Sequence, residues 1–183
     1  MPPSADLVGK IAGGVRRLEG LVSQVLQFAR EIRLVPAEAD VAFVVDTALE
    51  LAQPKILERA IEIAVRGERP LVARVDEHLL GQAVLNLVLN AAEAMEQGGT
   101  IWVNIAPARE EDGEGRQVRL IIRDSGPGIP PGILERIFNP FFTTKDTGTG
   151  LGLAIVHRIV DAHDGTITVT NPPGGGAQFE IRI

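Results

Sequence analysis

The chain has 183 residues, 45% of them hydrophobic and only 4% aromatic, and a net charge of −6. That suffices for one domain of ordinary size plus an appendage, with an aliphatic core. The acidic balance excludes a broad grip on nucleic acid, because no net positive field gathers phosphates, and the lack of cysteine excludes disulfides and thiolate metal sites.

No run of 18 apolar residues exists, and no signal peptide precedes the first helical pattern. The segment is therefore expected to be soluble and cytoplasmic, although its parent protein can be membrane-anchored.

Residues 4–33 read as one long helix. Ile11, Val15, Leu18, Val22, Val25 and Ala29 recur at alternating spacings of four and three, which is a heptad seam. Leu21 and Phe28 widen the stripe, and Arg16, Arg17, Glu19, Gln24 and Arg30 take the other faces. Gly13 and Gly14 each weaken the first turns by roughly 1 kcal/mol relative to alanine. Nothing nearby in sequence pairs with this helix as a hairpin, so its seam is expected to face another helix by self-association. Residues 34–39 read as a linker, since Pro36 stops the helix. Val41 to Leu57 is again helical (Phe43, Val44, Ala48, Leu51, Ala52), and Pro54 should bend or end it. Ile61–Arg66 and Leu71–Val75 alternate as short strands.

Asp76 reads as the N-cap of a helix over roughly 76–97, with Leu80, Val84, Leu87, Ala91 and Met95 as its stripe and Gly98-Gly99 as its stop. Strands follow over 100–107 and 117–123, joined by a polar hairpin loop from Arg109 to Arg116. A helix ends near Ala162, and strands 166–170 and 177–183 close the chain. The pattern predicts an α+β body: a mixed, mostly antiparallel sheet with helices on one face. The only boundary falls near 34–40, which divides the chain into 1–35 and 36–183.

The stretch from Asp124 to Leu153 carries the chemistry. Asp124 enters a glycine turn with Gly126 and Gly128. Phe138, Phe141, Phe142 and Lys145 follow, then a second cluster at Gly148, Gly150 and Gly152. Glycines spaced this way let backbone N–H groups approach an anion, and a glycine turn that opens a helix offers a phosphate site. A carboxylate at Asp124 can accept from an exocyclic amine such as adenine N6. Asn86 and Asn90 share one helix face. Asn90 can offer an oxygen to Mg²⁺, and Glu93, one turn on, can hold a metal-bound water. Each piece alone is ambiguous: an NxxxN pair is most often solvated, an Asp in a glycine turn is often only a turn former, and a PFF cluster usually plugs a core.

Together the motifs resemble those of sensor histidine kinases of the nitrogen-regulation type. Asn86-Leu-Val-Leu-Asn90 resembles their N box and Asp124-Ser-Gly-Pro-Gly-Ile129 their G1 box. Phe138-Asn-Pro-Phe-Phe-Thr-Thr-Lys145 resembles the F box, and Gly148-Thr-Gly-Leu-Gly152 the G2 box. Four motifs in family order make the likeness specific. It covers residues 41–183 as an ATP-binding catalytic domain and 4–33 as the second helix of the dimerisation and histidine-phosphotransfer hairpin. The implied fold is the two-layer Bergerat sandwich shared with gyrase-type ATPases.

The resemblance implies ATP or ADP with Mg²⁺ as ligands. Asp124 would bind the adenine amino group, with Gly126, Gly128 and Ile129 shaping that end. Asn90 would ligate Mg²⁺ and Asn86 would support the phosphates or the metal. Lys145 would approach the γ-phosphate. Phe138, Thr144, Gly148, Thr149, Gly150, Leu151 and Gly152 would complete the nucleotide-contacting stretch. Asn86 stands where gyrase-type relatives keep a water-activating glutamate, which implies that ATP is held rather than hydrolysed. The implied partners are the parent kinase's hairpin and a response regulator, with no nucleic acid.

Two departures stand out. No H box is present: His78, His157 and His163 all sit in sequence contexts unlike a phosphoacceptor. The chain is thus expected to be a truncated kinase that does not phosphorylate itself. Relatives also often carry threonine where Ala177 stands. The rival readings are an H-box-lacking regulatory module, an ATPase of the gyrase superfamily and a serine kinase of the same fold.

Overall fold

The computed structural model describes residues 4–109, 116–145 and 148–183. Twelve elements run in the order α1 (Ser4–Ala29), β1 (Ala37–Asp40), α2 (Val41–Glu58), β2 (Ile61–Gly67), β3 (Val72–Val75), α3 (Glu77–Ala94), β4 (Gly99–Arg109), β5 (Arg116–Asp124), a 3₁₀ turn (Pro131–Arg136), α4 (Gly152–Ala162), β6 (Thr166–Thr170) and β7 (Gln178–Arg182). Five strands form one sheet in the order β2-β4-β5-β7-β6, with only β2 and β4 parallel. Strand alternation sends Ile101, Val103, Ile105, Leu120, Ile122 and Ile181 into the core. There they meet Leu80, Val84 and Leu87 of α3, which lies between α2 and α4. The predicted mixed sheet with helices on one face is the observed one. The opposite face carries Trp102 under the Arg123 guanidinium and an Arg119–Glu180 pair at 2.7 Å.

Several boundaries differ from the sequence reading, each for a physical reason. Part of the expected linker is a strand: β1 pairs antiparallel with β3 in a small second sheet. Asp40 ends it and caps α2, its Oδ1 accepting from Ala42 and Leu71 N–H at 3.0 Å. Pro54 does not end α2; it lies inside the helix. It sits on the exposed side, where water can serve the Glu50 carbonyl that proline leaves unpaired. α3 stops at Ala94, short of 97, because Met95 already leaves helical geometry. The tip of the β4–β5 hairpin (110–115) lies outside the described residues, as do the side chains of Arg16, Arg17, Leu21 and Gln24.

α1 ends at Ala29, four residues earlier than read. The cause lies 130 residues away. The guanidinium of Arg158 on α4 donates to the Phe28 carbonyl and, at 3.1 Å, to the Arg30 carbonyl. It also lies over the Phe28 ring, whose edge meets Phe141 at 6.2 Å between centroids. A cation is satisfying carbonyls that a helix end leaves free. Replacing Arg158 with alanine should detach this end of α1 while leaving the sheet intact. Amide exchange should quicken at residues 26–31, and a global midpoint shift alone would contradict the expectation. The rest of α1 exposes Ile11, Val15, Leu18, Val22 and Val25.

Asp76 gathers a second junction. Its Oδ1 accepts from Leu79 N–H and its Oδ2 from Val35 N–H, both at 3.0 Å. His163 accepts the Asp76 N–H at Nε2 (3.1 Å) and contacts the Ile159 carbonyl through Nδ1 at 2.8 Å. Partial burial pushes the Asp76 carboxyl up. The Leu79 and Val35 amides and the nearby His163 outweigh it and hold the group below the usual carboxylate range.

Candidate functional site

A cavity of about 710 Å³ opens between α3, the end of β5 and the glycine-rich stretch 124–152. Helical spacing puts Asn86, Asn90 and Glu93 on the face of α3 that forms one wall. Asp124 stands at its base. Gly128, Ile129, Thr144, Lys145, Gly148, Thr149, Gly150 and Gly152 form the opposite side. Ile133, Ile137, Phe142 and Phe179 add an apolar lining.

Asp124 is 4% exposed, the one buried charged residue among those described. Its Oδ1 accepts from Gly126 N–H at 2.8 Å and from Ala177 N–H at 3.2 Å. Both amides use the same oxygen, which leaves Oδ2 for a ligand. Burial pushes the Asp124 carboxyl above its usual range, and the Ala177 and Gly126 amides only partly offset this. A fixed acceptor in an apolar wall suits a flat ring that donates one N–H.

Two glycines are forced by their surroundings. At Gly176 (φ +82°) a Cβ would fall 1.8 Å from the Asp124 carbonyl oxygen. At Gly150 (φ +68°) it would fall 2.5 Å from the Phe141 carbonyl carbon. The Phe141 N–H donates to the Gly150 carbonyl at 3.0 Å, so residues 142–149 leave and return at one point. From within that loop Lys145 reaches back to α3, its Nζ 2.6 Å from Glu93 Oε2. Gly152, the first residue of α4, sits close beside both carboxamides: its added Cβ would lie 3.6 Å from Asn90 Nδ2 and 3.8 Å from Asn86 Oδ1.

Twelve of the residues singled out from sequence thus share one cavity wall: Asn86, Asn90, Glu93, Asp124, Gly128, Ile129, Thr144, Lys145, Gly148, Thr149, Gly150 and Gly152. Three stand off it. Gly126 acts through the N–H it gives Asp124. Phe138 packs on Phe179 and His157. Leu151 is wholly buried in the core, and its N–H donates to Thr149 Oγ1 at 3.3 Å. None of the three histidines lines the cavity.

Sequence reasoning missed Asn171. Its carboxamide clamps Ile129, accepting from the N–H at 3.0 Å and donating to the carbonyl at 2.6 Å. An Asn ahead of Pro-Pro is a turn signal, but its partner 42 residues away was not readable.

The donor set fits a magnesium nucleotide. No group of three acidic or histidine side chains is gathered among the described residues, so a resident metal has no cage. One carboxamide, a carboxylate a turn away and an anion-accepting helix start instead suit a hard cation that arrives with phosphates and keeps waters.

The family described as "Histidine kinase-, DNA gyrase B-, and HSP90-like ATPase" matches residues 75–183. The sensor histidine kinase ZraS of Klebsiella oxytoca is 39% identical over 169 residues, 91% of this chain and 35% of that protein. Full-length ShkA, solved in complex with AMPPNP, is 33% identical with a TM-score of 0.83, covering all of this chain and 39% of that one. Histidine kinase ThkA, solved with the response regulator protein TrrA, is 29% identical with a TM-score of 0.79, covering all of this chain and 52% of that one. The chain spans about a third of the length of the sensor histidine kinases ZraS that it matches. Fold, cavity and relatives converge: the chain belongs to the family of histidine kinase-, DNA gyrase B- and HSP90-like ATPases and carries the ATP-binding catalytic domain of the sensor histidine kinase type.

Proposed function

We propose that this chain holds ATP·Mg²⁺ in the cavity and donates the γ-phosphoryl to a histidine outside these 183 residues. The observation that carries the reading is Asp124: a buried carboxylate with one oxygen fixed by two amides and the other left for a ligand. Asp124 accepts from the adenine amino group, and Gly128 and Ile129, clamped by Asn171, border the ring. Asn86 and Asn90 face the phosphates, with Asn90 as the Mg²⁺ ligand and Glu93 reaching the ion through water. Magnesium neutralises charge on the transferring phosphate. Lys145 meets the γ-phosphate, and the Thr149 and Gly150 amides and the start of α4 meet its neighbours. Phosphoryl transfer needs chiefly such positioning and charge neutralisation.

The receiving histidine must be brought to this cavity. His78 lies in the groove between α2 and α3, His157 packs on Phe138, and His163 is held at the Asp76 junction. Incubated alone with γ-labelled ATP, the chain should gain no acid-labile label; given the phosphotransfer hairpin of its parent kinase, label should appear on the hairpin. Label on this chain alone would overturn the reading.

We further read 1–35 as the second helix of that hairpin and 36–183 as the catalytic domain. The exposed seam of α1 supports pairing with a second copy, since an apolar stripe of this length does not stay bare. Scattering should show mass rising with concentration, and Leu18→Glu with Val22→Glu should hold the chain monomeric. The response regulator is the partner of the whole protein on this reading, and the cytoplasm is its place. No described helix is long and apolar enough to cross a membrane.

A further inference from the structure

We infer that Glu93 competes with a terminal phosphate for Lys145, so that this ion pair tempers the preference for a nucleoside triphosphate over a diphosphate that Lys145 creates. The inference rests on the nucleotide reading above. Lys145 Nζ lies 2.6 Å from Glu93 Oε2, across the mouth of the cavity from the loop to α3. Both side chains also line the cavity. The lysine is therefore parked at the phosphate end, not in bulk solvent.

The pair is also built to break. The two side chains are 38% and 44% exposed, and an exposed pair of this kind is weak. A terminal phosphate offers more charge and more acceptor oxygens than one carboxylate, so it takes the lysine. A diphosphate that ends before the mouth leaves the pair intact. Triphosphate binding thus includes breaking the Lys145–Glu93 pair, and diphosphate binding does not. The carboxylate moderates the preference that Lys145 creates and releases the lysine only to a ligand with a third phosphate.

Affinities for ATP and ADP, titrated by calorimetry in EDTA so that cation contacts do not enter, test this in four proteins: wild type, Glu93→Gln, Lys145→Met and the double variant. Glu93→Gln should raise the ATP:ADP affinity ratio by roughly two- to fivefold, the worth of an exposed ion pair. Lys145→Met should lower the ratio. In the Lys145→Met background, Glu93→Gln should change nothing. An equal effect of Glu93→Gln with and without Lys145, or a fall in the ratio, would overturn the exchange. Wild type binding neither nucleotide would instead overturn the nucleotide reading itself.

Discussion

Asp124→Asn should fold normally and bind ATP at least about 100-fold more weakly, as read by calorimetry. The amide keeps an oxygen for the Gly126 and Ala177 N–H groups, so the local frame survives. Its NH₂ then occupies the free position and meets the adenine amino group donor to donor. A lost charge-assisted bond plus an unpaired buried donor costs on the order of 3 kcal/mol, hence the factor of 100. Stability should not fall at neutral pH. The folded pKa of Asp124 is raised, so its contribution to stability is present below the ordinary carboxylate pKa and lost as pH rises through the folded value, where the ionised form adds none to remove. The same shift sets a pH dependence for binding. ATP affinity of the wild type should decline as pH falls through the raised Asp124 pKa, above the ordinary carboxylate range, and that inflection should vanish in Asp124→Asn. A ligand that accepts where adenine donates, such as a guanine nucleotide, should lose less or gain. Unchanged ATP affinity would mean that Asp124 does not read the base.

Gly176→Ala should be among the most damaging single methyls at the described glycines. The new Cβ would sit 1.8 Å from the Asp124 carbonyl oxygen, which is backbone and cannot swing away, and φ is +82°. The entry to β7 must move off the end of β5, breaking the Asp124 N–H to Ala177 carbonyl bond at 3.0 Å. A loss of about 3 kcal/mol or more is expected from urea unfolding, with nucleotide affinity falling because Asp124 shifts. Gly174→Ala is the control. It also has positive φ (+98°), but its Cβ would have nothing nearer than 3.8 Å, so it should cost only about 1 kcal/mol. Equal losses in the two variants would show that φ alone, and not the Asp124 contact, makes Gly176 necessary.

Most of the sheet and three of the helices were legible because their signals are local. The Asp76 cap, the Leu80–Leu87 stripe and the glycine stops at 98–99 each lie within a few residues of what they decide. The cavity wall was legible because its glycines and its polar residues are sequence-adjacent to the turns that carry them. What stayed hidden depends on distant partners. β1 reads Ala-Glu-Ala-Asp, with no strand signature, and exists because β3 pairs with it. The end of α1 is set by Arg158, and the Ile129 turn by Asn171. Pro54 survives inside α2 because of where the helix presents it, which only packing decides.

The Phe141–Gly150 hydrogen bond gives the loop between them a particular thermodynamic character. The ends of 142–149 are fastened to each other at 3.0 Å before any ligand arrives, so the chain entropy of closing that loop is spent during folding and not during binding. Closure entropy grows only slowly with length, about 0.6 kcal/mol for each doubling. The segment bearing Lys145 can therefore be longer or shorter at little cost, with β5, Asp124 and the start of α4 unmoved. The Asp124 end and the Lys145 end of the cavity are in that sense free to vary independently.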